Sequence, residues 1–209
     1  MANFDQHKTC NYYKKGQVIF HEGTRPIGLF CIRSGQVKIC RTGLEGKEQI
    51  VRLAKSGSII GYRSFLAEEL YSASAIAIEG TTICCIDRDD LNKALASNPL
   101  FYKNLVKLMS FDLRKSEDLV FGLAQKSARE RLAEVLLLLK EEFGIDPLDS
   151  AKLGVQLSRQ ELSTYTGVAT ETIIRLLSEF KQEGWVDLQG RQIRILNYKA
   201  LVDEANLAF

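Results

Sequence analysis

Leu157–Gly184, LSRQELSTYTGVATETIIRLLSEFKQEG, decides the reading of this chain. Ser158-Arg159-Gln160-Glu161 has the form of a capping box: the serine hydroxyl accepts from the amide three residues on, and the glutamate reaches back to the cap amide. Leu162 and Tyr165 follow at i,i+3 on one face. Gly167 stands where a helix must stop and the chain needs a positive φ. A second helix is expected from Thr170 to Glu183, with Ile173, Leu176, Leu177 and Phe180 as its apolar stripe and Gly184 just past its end. Thr170, Glu171, Ile174 and Arg175 lie off that stripe, near the start. A helix, a glycine turn and a second helix with outward Glu and Arg at its start make a helix-turn-helix, whose second helix enters the major groove. A helical hairpin packed for structure alone is the bland alternative; cap, turn and spacing together weigh against it. Trp185–Asp187 and Gln192–Ile195 read as two short strands around Gln189-Gly190-Arg191, which adds a wing.

Composition sets outer bounds. The 209 residues suffice for two ordinary domains, and 45% hydrophobic with 26% charged residues implies a folded chain. Residues 127–209 hold 10 Lys/Arg against 13 Asp/Glu, so the candidate DNA-binding part is not a basic patch. Phosphate contacts must then come from placed residues: Ser158, Arg159, Gln160, Lys181 and Arg191. No apolar run approaches the ~18–20 residues that span a bilayer. The opening MANFDQHKTCNYYKKG lacks the apolar region of a signal peptide, so a cytoplasmic protein without membrane contact is expected. Five cysteines, Cys10, Cys31, Cys40, Cys84 and Cys85, are an odd number without a CxxC, and fit reduced thiols better than a disulfide framework.

Upstream of the helix pair, residues 12–90 look all-β. Val18–Phe20, Leu29–Ile32, Val37–Cys40, Ile50–Leu53, Ala75–Ile78 and Ile83–Ile86 are short apolar or alternating runs punctuated by glycines, as in a sandwich or barrel. Asp89–Ala96 reads as a short helix. Pro99 to Gln125 reads as one long helix, carrying Phe101, Leu105, Leu108, Leu119 and Gly122, with Asp112 and Lys115 interrupting and Leu113, Val120 and Leu123 as a neighbouring stripe. Its free face is a natural homodimer seam; a solvent-bridging helix in a monomer is the alternative. Ala128–Phe143 is a further helix ended by Gly144, and Ile145–Val155 a loop with room for one short strand. The division expected is 1–98 for the β-roll, 99–126 for the long helix and 127–209 for the winged helix-turn-helix.

This order of elements resembles the CRP/FNR family of bacterial transcription regulators. KKGQVIFHEG and IRSGQVKI resemble the family's opening strands, GSIIG the start of its phosphate-binding cassette, and LSRQELSTYTGVATETIIRLLSEF its recognition element. The resemblance implies an α+β chain: an N-terminal double-stranded β-helix or jelly roll of cyclic-nucleotide-binding type, a long dimerisation helix and a C-terminal winged helix-turn-helix. It implies a homodimer on a two-fold symmetric operator in double-stranded DNA, and a surface for RNA polymerase. The family's base-reading pattern falls on Thr170, Glu171, Ile174 and Arg175. Arg175 would donate two hydrogen bonds to guanine, Glu171 accept from cytosine or adenine, and Ile174 touch a thymine methyl. Thr170 stands where cyclic-AMP-binding members carry an arginine, so a TTGA-like half-site is expected. The bland readings are a first-turn acid favoured by the helix dipole for Glu171, and an i,i+4 partner of Glu171 or Glu179 for Arg175.

In cyclic-AMP binders of the family a glutamate follows the second cassette glycine, and an Arg-Ser pair comes about ten residues later. Here Tyr62 stands after Gly61 at the glutamate, Tyr71 stands at the arginine, and only Ser72 is retained. A buried phosphate needs a fixed cation or several donors, and tyrosine supplies no charge. Ser116 falls where members have a hydroxyl for adenine. Cyclic AMP is therefore not expected to bind. Gly61, Tyr62, Arg63, Tyr71, Ser72, Ser74 and Ser116 could instead line a site for an unidentified small effector; the alternative is a thiol-responsive regulator whose roll holds no small molecule. An iron–sulfur cluster is not expected, because only Cys10 precedes the roll. Neither is haem, because the only histidines, His7 and His21, lie outside cassette and long helix. No catalytic constellation, P-loop or metal motif is present, which argues against an enzyme.

Overall fold

The computed structural model describes residues 9–206, and the chain divides into two compact units, Met1–Ser116 and Glu117–Phe209, with the division inside the long helix. The first unit contains β1 (Thr9–Tyr13), β2 (Val18–Phe20), β3 (Gly28–Ser34), β4 (Gln36–Thr42), β5 (Glu48–Lys55), β6 (Ile59–Ile60), α1 (Tyr62–Leu66), β7 (Ser74–Ala77), β8 (Thr81–Asp87), α2 (Arg88–Ser97) and the start of α3 (Pro99–Gln125). Two antiparallel sheets, ordered β1-β8-β3-β6 and β2-β7-β4-β5, form the roll.

Strand β3 shows why the roll needs both faces of one sheet covered. Side chains alternate along a strand, so Phe30 and Ile32 face one way and Leu29 and Cys31 the other. Phe30 and Ile32 join Phe20, Val37, Ile60, Tyr71 and Ile83 in the roll interior. Leu29 and Cys31 pack with Tyr62, Phe65, Ile86, Leu91 and Leu105 in a second core. Gly28 is required where β3 runs against β8: a Cβ there would lie 2.0 Å from the Ile86 carbonyl oxygen. Asp87 caps α2 by accepting from the Asp90 amide, and Asn98 accepts from the Phe101 amide at the start of α3.

The second unit holds the end of α3, α4 (Ala128–Phe143), β9 (Ile145–Asp146), β10 (Asp149–Leu153), α5 (Arg159–Thr166), α6 (Thr170–Gln182), β11 (Val186–Gln189), β12 (Gln192–Ile195) and α7 (Tyr198–Glu204). Ser127 and Glu130 close a capping box at α4, a second use of the Ser-x-x-Glu pattern seen at α5. Leu132, Leu136, Leu139, Leu162, Ile173, Leu177 and Phe180 are all fully buried, so three helices share one core.

Three expectations need correction. Residues 145–155 are not a loop with one strand: β9 and β10 pair with each other, and β10 joins the wing through Lys152 and Arg194. Strand structure extends upstream of residue 12: β1 runs from Thr9 and pairs with β8 along its whole length. The five cysteines are not all thiols. Cys10 and Cys84 face each other across β1 and β8 and form a disulfide. An odd cysteine count does not bear on this pair, which the β1–β8 register brings together. No helix among the described residues is long and apolar enough to cross a membrane.

Candidate nucleic-acid interface

The helix pair is built as its sequence requires. Ser158 accepts from the Glu161 amide at 3.1 Å, and the Ser158 amide donates to the Glu161 carboxylate at 2.8 Å. Gly167 ends α5 in the left-handed region at φ 65°, where a side chain would be strained and would crowd Leu123 at 3.1 Å. Helix α6 then buries Ile173, Leu176, Leu177 and Phe180. That stripe turns Glu171, Ile174 and Arg175 outward, all exposed, with Thr170 beside them half-buried.

Several candidate contacts hold one another in the free protein. The Thr170 hydroxyl donates to the Gln160 side-chain carbonyl at 3.0 Å, which joins the starts of α5 and α6. Arg159 donates to the Gly190 carbonyl of the wing turn at 3.3 Å, and burial pulls its pKa down from the ordinary value. Lys181 sits 3.0 Å from Asp187, so its charge is partly answered within the protein. Arg191, next to Gly190 in the two-residue wing turn, is exposed. Arg175 pairs with Glu179 at 2.5 Å, as the bland i,i+4 reading anticipates.

Sequence reasoning missed the residue that anchors this helix. Arg129 of α4 reaches Glu179 at 3.0 Å, Glu183 at 2.6 Å and Glu204 at 3.2 Å. Its guanidinium also lies 4.7 Å from the Phe180 ring and 4.9 Å from the Trp185 ring. One planar cation thus ties α4, α6 and α7 together, and the acidic excess of this unit is partly spent on it rather than facing DNA. The signal available was three acids, Glu179, Glu183 and Glu204, falling in a region short of cations.

The effector candidates do not form one site. Tyr71 lies in the roll interior, stacked on Phe20 with ring centroids 4.0 Å apart. Tyr62 points into the other core, where its hydroxyl donates to Asp112. Arg52 completes that cluster, 2.9 Å from Asp112 and over the Tyr62 ring. Burial pushes both tyrosines up to about 12, so each is a neutral ring at ordinary pH. Gly61 has φ 82° and no room for a side chain without meeting Phe30 and Tyr71. Ser74 accepts from the Glu22 amide at 2.9 Å, whereas Ser72, though exposed, lines a pocket of about 330 Å³ together with Arg63. Arg63 also joins Ser116 in a groove of about 910 Å³ along α3, with Tyr102, Val106, Met109 and Leu113 on its walls. The Ser116 hydroxyl donates to the Asp112 carbonyl.

His7 lies outside the described residues, and His21 is exposed on a turn. Among the described residues no three His, Cys, Asp or Glu side chains are grouped to hold a metal. Burial pushes the Cys40 thiol up to about 11 and raises that of Cys85.

A β-roll, a long helix with an exposed apolar face and a winged helix-turn-helix define a class of DNA-binding regulator. Comparison with known proteins agrees. Residues 10–98 match the family described as cyclic nucleotide-binding domain, and residues 130–204 match the Crp-like helix-turn-helix domain. The chain is 30% identical over 184 residues to the transcriptional activator protein anr of Pseudomonas aeruginosa, covering 88% of this chain and 75% of the relative. It is 29% identical over 192 residues to the fumarate and nitrate reduction regulatory protein of Escherichia coli, covering 92% and 76%. The structure of FixK2 from Bradyrhizobium japonicum superposes with a TM-score of 0.87 at 25% identity, covering 97% of this chain and all of that one. The chain belongs to the CRP/FNR family of transcription regulators: it is a DNA-binding regulator, not an enzyme.

Proposed function

We propose that the chain works as a homodimer on a two-fold symmetric DNA site, with α6 of each copy in one major groove. The observation that carries this is the outward face at the start of α6. Arg175 is the guanine donor, Glu171 accepts from cytosine or adenine, Ile174 lies against a thymine methyl, and Thr170 sits at the edge of the readout. Ser158, Arg159, Gln160, Lys181 and Arg191 surround that face and supply the phosphate contacts. The tip of the β9–β10 hairpin, with Leu148 fully exposed, offers RNA polymerase a surface.

The seam of the dimer is α3. Tyr102, Val106, Met109, Leu113, Ser116, Val120 and Leu123 recur at alternating steps of four and three, the spacing of a coiled-coil seam. The large side chains in this series are 40–66% exposed in the single chain, an apolar run that water alone would not favour. The outcome expected on a selected operator is saturation at two chains per duplex in a mobility-shift titration. Saturation at one chain per duplex contradicts the proposal.

The roll does not answer to cyclic AMP. Tyr71 fills the interior where the phosphate cation would stand, and Tyr62 is turned away to Asp112. A buried phosphate monoanion without a fixed cation costs several kcal/mol, about enough to remove micromolar binding. Isothermal titration with cyclic AMP is expected to show no binding heat. A dissociation constant in the micromolar range would sink this reading.

A further inference from the structure

Cys10, Cys84 and Cys31 form a row across three neighbouring strands. Cys10 on β1 is the register partner of Cys84 on β8, and Cys84 is the register partner of Cys31 on β3. Residues directly opposite across antiparallel strands point to the same face, so three sulfurs share one side of the sheet. The first two are joined as a disulfide that closes 74 residues of chain. β1 is the edge strand of its sheet, and Cys10 on it is exposed, whereas Cys84 is only 6% exposed. A regulator works where the DNA is. Thiols there are ordinarily kept reduced, and disulfides that do form are transient and redox-sensing rather than structural. An exposed edge sulfur is also the kind that small thiols reach.

We propose that Cys10 and Cys84 are a reversible redox site whose co-reactant is a low-molecular-weight thiol–disulfide couple of the glutathione type. The difference in exposure assigns the roles. In oxidation the Cys10 thiolate attacks one sulfur of the small disulfide, and the other sulfur leaves as a thiolate that takes up a proton. The Cys84 thiolate then attacks the Cys10 sulfur and expels the second small thiol. Two protein thiols are oxidised to one disulfide, and one small disulfide is reduced to two thiols. Reduction reverses both steps and enters again at Cys10. The oxidised state staples the edge strand β1 to β8; the reduced state leaves β1 held by its backbone ladder. Cys31 packs against the core that holds Leu29 and Leu105, so the row ends at the core that seats the first turns of α3. This deepens the thiol-responsive reading and uses DNA binding only to place the protein in a reducing compartment.

The test uses the full chain without DNA, so its failure is separate from failure of the DNA reading. Protein is equilibrated in oxidised or millimolar reduced glutathione without denaturant, thiols are alkylated under native and then denaturing conditions, and peptides are mapped. Oxidised protein is expected to label at three of its five cysteines after denaturation, with Cys10 and Cys84 linked, and reduced protein at all five. The melting temperature is expected to fall by several degrees on reduction in the parent and to be the same in both buffers in Cys10→Ser. Three results overturn the proposal: five labelled thiols in both buffers, a bridge that survives reduced glutathione until the protein is unfolded, or oxidation that maps to Cys31–Cys84 in the parent chain.

Discussion

Arg175→Ala is expected to abolish specific operator binding while leaving the fold intact. A well-placed bidentate contact from arginine to guanine contributes about 1–3 kcal/mol of discrimination, and a dimer makes it twice, about 2–6 kcal/mol in all. In affinity that is roughly 30-fold to more than 10⁴-fold. The competing interaction is the pair with Glu179, and exposure decides between them. The Arg175 side chain is 63% exposed, and an i,i+4 surface pair contributes only about 0.3–0.5 kcal/mol. DNA therefore outcompetes Glu179, and the mutant loses far more on DNA than in stability. Glu179 keeps its other partner, Arg129, so α6 stays anchored. A mobility shift on operator and on unrelated duplex of the same length checks this. Loss on the operator alone is the expected outcome; equal loss on both would make Arg175 a phosphate contact.

Asp112→Ala is expected to destabilise the first unit by about 3 kcal/mol. Removing one partner of a buried ion pair costs about 3–5 kcal/mol because the other charge is left uncompensated. The pair here is not wholly buried: side-chain exposure is 26% for Arg52 and 14% for Asp112, so the lower figure applies. The Tyr62 hydroxyl loses its acceptor as well, which adds to the penalty. Replacing both charges, Arg52→Leu with Asp112→Leu, should recover most of the loss, since an apolar pair of similar volume is often neutral. Urea denaturation of the three chains measures this directly. A single mutant within about 0.5 kcal/mol of the parent would show that the pair is idle.

What was legible in the sequence was local. The capping box at Ser158 and Glu161, the turn at Gly167 and the stripe Ile173, Leu176, Leu177 and Phe180 depend on residues within a few positions of each other, and each stands as expected. What was not legible depends on pairings far apart. Asp112 looked like an interruption of the long helix, yet it lies seven residues beyond Leu105 on the buried stripe. An acid on a core stripe demands a cation, and nothing near it in sequence named Arg52. Tyr62 and Tyr71 both flank the glycine cassette in sequence, yet Tyr62, the first residue of α1, enters one core and Tyr71, ahead of β7, the other. β10 has the polar sequence DSAKL, with no alternation to mark it, and its place beside β12 is set by the wing. The Cys10–Cys84 bond needed the register of an edge strand, which cysteine counting does not contain.

The central claim is that two copies of α6 read one symmetric site. Selection from a pool of random duplex DNA by the full chain tests it most directly. The account predicts enrichment of inverted half-sites about one helical turn, ~34 Å, apart, each with a TTGA-like core. Enrichment of a single asymmetric site, or of no sequence at all, would contradict it.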